Sequence, residues 1–225
     1  AAADVLARSS HEEWPPRGPV VERVRAAARA RGLPDTVVGI PATESGFRAN
    51  HVSDACSAGV WQFSPETAVR SGLAVSDCVV AGVGAPWSPD PAVSVTLRSI
   101  YIGDSGCLIE LCREDERLDL ALSTEAAMLE LGVSSELPEL RSHPQRLALT
   151  VLSFSHGRSA VLQKLRSADD ADLIGAAAGC VAANGCGRIG ASDATYPAKV
   201  AANAAVALCY GLRGEARPVE LCRAA

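Results

Sequence analysis

The sequence contains few of the residues from which metal centres and nucleic-acid surfaces are built. It has four histidines, and its eight cysteines include no C-x-x-C pair, so neither a metal site nor a cofactor is expected. The net charge is −5 with both signs interspersed, which leaves no basic stripe to neutralise phosphates. A nucleic-acid partner is therefore not expected. No uninterrupted apolar run reaches the ~18 residues of a transmembrane helix, so no membrane span is predicted.

Aromatic residues are also scarce, at 4% of the 225 residues, and most of the apolar residues are alanine or valine. An interior of small side chains favours close packing of helices. No clear strand pattern is present. We predict an all-α (mainly α) protein, expected to be a monomer, with one domain over 1–225, an N-terminal arm at 1–19 and an insertion at 104–143.

The eight cysteines are the main indication of cellular location. Cys107 with Cys112, and Cys180 with Cys186, are spaced as disulfide staples of small loops, and disulfides persist in oxidising compartments. This predicts an exported protein, periplasmic or secreted. The alternative is a set of buried free thiols in a reducing cell, because free cysteine packs as a small hydrophobic residue. The sequence leaves the pairing open.

Apolar periodicity, proline and glycine together predict the helices. Asp35 is a good N-cap type, and Pro41 should distort the helix that follows it. Ser64 and Pro65 predict another helix start, with proline at the first helical position. The predicted helices cover residues 20–32, 35–44, 65–72, 91–102, 123–131, 144–165 with a break at 155–157, and 197–210.

Glu44 is the most informative residue, in the segment 41–47 that reads Pro-Ala-Thr-Glu-Ser-Gly-Phe. A carboxyl at the end of an apolar helix, with Phe47 and Trp61 available to exclude water, has its charged form disfavoured and its pKa raised. A raised pKa suits an acid that donates a proton near neutral pH. The alternative is a glutamate that merely ends a helix with its side chain in solvent.

Four distinctive elements follow one another along the chain: the Glu-Ser segment after 33–36, Gly-Val-Trp-Gln-Phe-Ser-Pro at 59–65, the helix 149–157 and Tyr-Pro-Ala-Lys-Val at 196–200. In this order they resemble the lytic transglycosylase catalytic domain of glycoside hydrolase family 23, most closely its membrane-bound transglycosylase D branch. The resemblance covers 33–208, except for 77–90 and 104–143. It implies a goose-type-lysozyme-like helical domain with a substrate cleft, here with disulfide-stapled loop insertions.

The resemblance implies that Glu44 is the single catalytic acid and base. It would protonate the oxygen of the β-1,4 bond between N-acetylmuramic acid and N-acetylglucosamine of peptidoglycan. It would then deprotonate the muramic C6 hydroxyl, which closes a 1,6-anhydro ring without water. For Trp61, core packing is the alternative to a sugar platform. The positions implied to bind substrate are Ser45, Gln62, Tyr196, Trp61, Ser155 and Phe154.

Several positions depart from the family pattern. Phe154 and Ser155 replace a tyrosine and an asparagine, which removes a hydroxyl expected near Glu44 and raises a low-activity peptidoglycan-binding module as an alternative. Asp54 is a candidate second carboxylate that would activate water, as in a hydrolytic lysozyme (muramidase); otherwise it is a turn residue. His156 is read as a structural group at a helix break or as a substrate contact. A Ser-His-Asp hydrolase is disfavoured because adjacent helical residues do not face each other.

Overall fold

The structure is a computed structural model in which the chain falls into two compact units. The first unit contains the described residues from 18 to 43 and from 128 onward, and the second contains those from 44 to 127. Side chains are not described at 80–81, 99–100, 108–110, 167, 191–194 and 209–213. The described residues are 18–49, 51, 53, 57–75, 80–81, 99–100, 108–110, 115–167 and 191–213.

The described residues are mainly helical, which confirms the predicted fold class and is consistent with a lysozyme-like fold. A 3-10 helix, Asp35–Val38, precedes the second α-helix. No helix among the described residues is long and apolar enough to cross a membrane. The α-helices are α1 (Gly18–Ala30), α2 (Gly39–Glu44), α3 (Pro65–Arg70), α4 (Leu120–Ser135), α5 (Pro138–Arg141), α6 (Arg146–His156), α7 (Arg158–Ser167) and α8 (Ala191–Arg213).

Three very short strands were not predicted: β1 (Val80–Ala81), β2 (Ser99–Ile100) and β3 (Leu108–Glu110). They form an antiparallel sheet in the order β1-β3-β2. The predicted helix over 91–102 is therefore wrong at β2, and its residues 91–98 and 101–102 lie outside the described part of the chain. Ile100 is β-branched, a type that packs better on a sheet than in a helix.

The predicted helix over 35–44 is divided at Gly39 rather than at Pro41. Pro41 lies in the first turn of α2, where a backbone N–H has no partner within the helix, so the proline is tolerated. Asp35 does not cap the helix, because the N-cap is Pro34 and no side chain caps it. The Asp35 carboxylate instead binds Arg25 and Arg29 of α1 at 3.0 and 2.6 Å.

In the first unit, α8 packs against α1, the 3-10 helix and α6. A Cβ at Gly39 would overlap the carbonyl oxygen of Val200, so only glycine allows the two backbones to approach this closely. Ala202, Ala204 and Ala207 of α8 are buried. Small side chains thus bring the helices together, as the composition predicted. A second cluster consists of Leu140, Leu149, Leu152 and Val161, with Tyr196 packed against it.

The second unit is built largely from turns around buried aromatic side chains. Phe47, Trp61 and Phe63 are each at most 2% exposed. Ser64 caps α3 through Thr67 with Pro65 at the helix start, which confirms the predicted signal. Residues 115–143 of the predicted insertion contribute buried side chains to both units. That this stretch is an insertion relative to the family remains a prediction.

Candidate active site

Glu44 is the last residue of α2 and is half-buried. The chain then turns sharply, because Gly46 and Phe47 both have left-handed backbone angles, with φ of 60° and 65°. This conformation is free for glycine but costs energy for phenylalanine. Phe47 is only 2% exposed, so burial of its ring in the second unit offsets the backbone strain. The turn ends the helix directly after the candidate catalytic carboxyl.

Ser45 links the Glu44 turn to the second motif. Its hydroxyl donates a 2.8 Å hydrogen bond to the carbonyl oxygen of Val60, and its side chain is buried. The carbonyl oxygen of Ser45 accepts a 2.8 Å hydrogen bond from Nε of Arg48, which also stabilises the turn after Glu44. The hydroxyl proton of Ser45 is therefore used inside the protein. Ser45 supports the turn, and its contact with a sugar remains a prediction.

The second motif forms a closed turn over residues 58–63. The N–H of Ala58 donates to the carbonyl oxygen of Phe63 at 3.0 Å, and Gln62 adopts a left-handed φ of 52°. Among the described residues, Phe47 and Gln62 are the only non-glycine residues with positive φ, and both lie in the motifs predicted to form the site. Strained backbone of this kind clusters at functional sites because the surroundings must hold it.

The side chain of Gln62 is oriented by its own turn. Its Nε2 donates to the carbonyl oxygens of Gly59 and His51 at 2.8 and 3.0 Å. Because both partners are acceptors, the amide nitrogen must face them, which fixes the opposite position of Oε1. No described residue donates to Oε1, and Gln62 is half-buried. Gln62 therefore offers an oriented acceptor to a ligand hydroxyl or N–H group.

Trp61 belongs to the core. Its side chain is 0% exposed, and its indole Nε1 donates a 3.1 Å hydrogen bond to Oγ1 of Thr124. A fully buried ring presents no face on which a sugar can stack. The structure favours the core-packing alternative for Trp61 over its predicted substrate contact.

The remaining predicted contacts lie in the first unit. Phe154 and Ser155 are on α6, where Phe154 is half-buried and Ser155 is exposed. The ring of His156 meets the ring of Tyr196 edge-on, with centroids 6.4 Å apart and planes at 70°. This contact favours the structural role for His156. Substrate binding by Tyr196, Phe154 and Ser155 remains a prediction.

Some predicted features fall outside the described residues. Asp54, the candidate second carboxylate, is one of them. The side chains of all eight cysteines are also outside, so the predicted disulfides remain predictions. Within the described residues, no group of three or more His, Cys, Asp or Glu side chains is placed to hold a metal ion.

Two contacts near the site were not predicted from the sequence. Oγ1 of Thr43 donates to the carbonyl oxygen of Gly39 at 2.7 Å and accepts a 3.0 Å bond from Nδ2 of Asn203. This joins α8 to the residue immediately before Glu44. Asn203 was detectable only as a polar position in an alanine-rich helix.

The other unpredicted contact is an ion pair between Asp115 and Arg117, whose side chains are 0% and 1% exposed. The charged run at 113–117, Arg-Glu-Asp-Glu-Arg, is typical of a solvated surface. Only the contacts of the folded chain reveal that two of its charges are buried.

The described residues thus combine a mainly helical fold, consistent with that of lysozymes, with a half-buried glutamate at a helix end and a strained Gly-Val-Trp-Gln-Phe turn. Residues 24–96 match the family model of the transglycosylase SLT domain. The match confirms the resemblance to a lytic transglycosylase catalytic domain over this stretch, and it supports a peptidoglycan-acting function of that type. It includes Glu44 and the 58–63 turn, whereas the elements at 149–157 and 196–200 lie beyond it. No curated protein matches the chain.

Proposed function

We propose that this protein is a peptidoglycan lytic transglycosylase that cleaves the β-1,4 bond between N-acetylmuramic acid and N-acetylglucosamine and leaves a 1,6-anhydro end. The observation that carries the proposal is the hydrogen bond from Ser45 to Val60 at 2.8 Å. It joins the two motifs within the family match directly beside Glu44. Glu44, half-buried at the end of α2, directly precedes the serine that is tied to the turn carrying Gln62.

Glu44 performs both proton transfers. In its protonated form it donates to the glycosidic oxygen as the bond from this oxygen to C1 of the muramic sugar breaks. The C6 hydroxyl of the same sugar then attacks C1, and the Glu44 carboxylate accepts the hydroxyl proton. The products are a free hydroxyl on the leaving glucosamine and the anhydro ring, and Glu44 regains its proton. No second carboxylate and no water is required, in contrast to the two-carboxylate glycosidases.

Gln62 orients the substrate. Its Oε1 accepts a hydrogen bond from a sugar hydroxyl or an acetamido N–H, while Nε2 remains bound to Gly59 and His51. An acceptor that is already fixed loses little conformational freedom when the substrate binds. Ser45 contributes indirectly through the turn, which it ties to Val60.

Export to the periplasm or the cell exterior is also part of the proposal. The substrate is cell-wall peptidoglycan, and the eight cysteines suit an oxidising compartment.

Digestion of purified sacculi with the whole chain, followed by mass spectrometry of the muropeptides, tests the reaction. We expect anhydro ends. Reducing ends would instead indicate a lysozyme, and intact sacculi that retain the protein would indicate a binding module. Glu44→Gln should lower the rate by at least about a thousandfold, because it removes the only proton donor and acceptor of the reaction. The control is Glu66→Gln at an exposed position on α3, which should digest sacculi like the wild type.

A further inference from the structure

A buried ion pair lies at the base of the 58–63 turn. The guanidinium of Arg117 donates to the carboxylate of Asp115 through Nε, at 2.8 Å, and through Nη2. The backbone N–H of Arg117 also donates to Asp115 at 3.1 Å. Both side chains are excluded from solvent. A buried pair of this kind adds little stability over apolar residues of similar size, because desolvation opposes the attraction. A contribution to stability therefore does not explain the pair, and its contacts with the rest of the unit become the relevant question.

The pair contacts the turn directly. Nη1 of Arg117, which is not needed for Asp115, donates to the carbonyl oxygen of Phe63 at 3.3 Å. The same oxygen accepts the bond from Ala58 that closes the turn. At the other end of the turn, Gly59 lies against the backbone of Arg117. A Cβ at this position would overlap the carbonyl oxygen of Arg117. Arg117 therefore contacts both ends of the turn, Phe63 through its side chain and Gly59 through its backbone.

The 58–63 turn also connects the ion pair to the candidate active site. Gln62 has a strained φ of 52°, which persists only if neighbouring contacts hold it. Val60, in the same turn, accepts the hydrogen bond from Ser45 beside Glu44. A continuous series of contacts thus runs from Asp115 and Arg117 through the turn to Glu44.

We propose that Asp115 and Arg117 are positioning residues that hold the 58–63 turn in the conformation required by Gln62 and Glu44. Both residues lie outside the segment that matches the family model. The kinetic test of this inference, through kcat, rests on the proposed function. The structural test, through hydrogen exchange, does not.

The test replaces the pair with apolar residues of similar size, as Asp115→Leu with Arg117→Met. Such replacements usually preserve folding, so we expect a melting temperature close to that of the wild type. The kcat on soluble peptidoglycan strands should fall about tenfold with KM nearly unchanged, because the reacting groups are misplaced. The matched control is Glu139→Gln with Arg166→Gln, an exposed pair at 3.0 Å that should leave kcat unchanged. A double variant with wild-type kcat would overturn the proposal.

Hydrogen exchange separates this proposal from the proposed function. Backbone amides at 58–63 should exchange at least about tenfold faster in the double variant, whereas those of α8 should be unchanged. Wild-type exchange at the turn would overturn the positioning role, whatever reaction the protein catalyses. Activity that persisted in Glu44→Gln would overturn the proposed function and leave the exchange result standing.

If the double variant does not fold, Arg117→Lys provides the same test. Lysine keeps the charge, but a single ammonium cannot replace the planar fork that binds both Asp115 and Phe63. Slower turnover and faster exchange at the turn are expected here too. Wild-type values of both in Arg117→Lys would overturn the proposal.

Discussion

The residues on either side of Glu44 are held in two different ways. Before it, in the first unit, Gly39 lies against the backbone of α8 at Val200, and the contact depends on the absence of a side chain. After it, in the second unit, Ser45 and the 58–63 turn are held by directed hydrogen bonds and by a buried ion pair. The first arrangement depends on the shapes of small residues. The second depends on polar groups that must each find a particular partner.

The largest effect on stability should come from filling the close contact in the first unit. Gly39→Ala places a methyl group onto the Val200 carbonyl and about 2.9 Å from Cβ of Ala204, so α8 must move. We expect a loss of about 3 kcal/mol in the free energy of unfolding, measured by urea denaturation.

The matched control is Gly132→Ala within α4, where an added Cβ meets no atom within 4 Å. Because alanine has the higher helix propensity, this variant should gain about 0.5–1 kcal/mol. Equal effects of the two substitutions would show that the close packing at Gly39 is not what joins α8 to α2.

A smaller effect is expected where the first unit also uses a directed bond. Thr43→Val removes the acceptor of the 3.0 Å bond from Asn203 while preserving the shape of the side chain. The buried amide then lacks its partner, which should cost about 2 kcal/mol and lower the melting temperature by about 4–8 °C.

Because Thr43 precedes Glu44, kcat should also fall severalfold in Thr43→Val. Thr43→Ser retains the hydroxyl and should restore most of the activity. If the serine variant were as impaired as the valine variant, the hydroxyl would not be the group that matters.

The smallest effect on stability concerns Asp35 in the first unit, and it is lost in acid. The hydrogen bond from Arg29 lowers the pKa of Asp35, supported by the bond from Arg25. A carboxyl with a depressed pKa in the folded state contributes stability above its unfolded pKa of about 4 and loses it as the pH falls through the folded value. The stability advantage of the wild type over Asp35→Asn should therefore be about 1 kcal/mol at pH 7 and shrink as the pH falls below about 4. An advantage that did not change with pH would contradict this origin.

The sequence predicts those features that local pattern determines. The helix start at Ser64 and Pro65, the helical class and the position of Glu44 at a helix end all follow from short-range signals, and the structure confirms them. The close contact of Gly39 with α8 was not predicted, because the two elements are remote in the sequence.

The supports of the 58–63 turn were missed for a similar reason. Arg117 and Phe63 are separated by 54 positions, and Trp61 and Thr124 by 63. No periodic pattern connects residues so far apart. Charged residues such as Asp115 and Arg117 are rarely buried unless they are paired. Their pairing becomes visible only in the folded chain.

Phe47 shows how narrow the choice of residue can become at one position. Its left-handed backbone favours glycine or asparagine, whereas its buried site requires a large apolar ring. Glycine would relax the backbone and leave a cavity, and leucine would fill part of the site without relieving the strain. No residue type satisfies both demands, so a saturation library at Phe47 should return very few functional clones. Evolution could change this position only together with the packing around it.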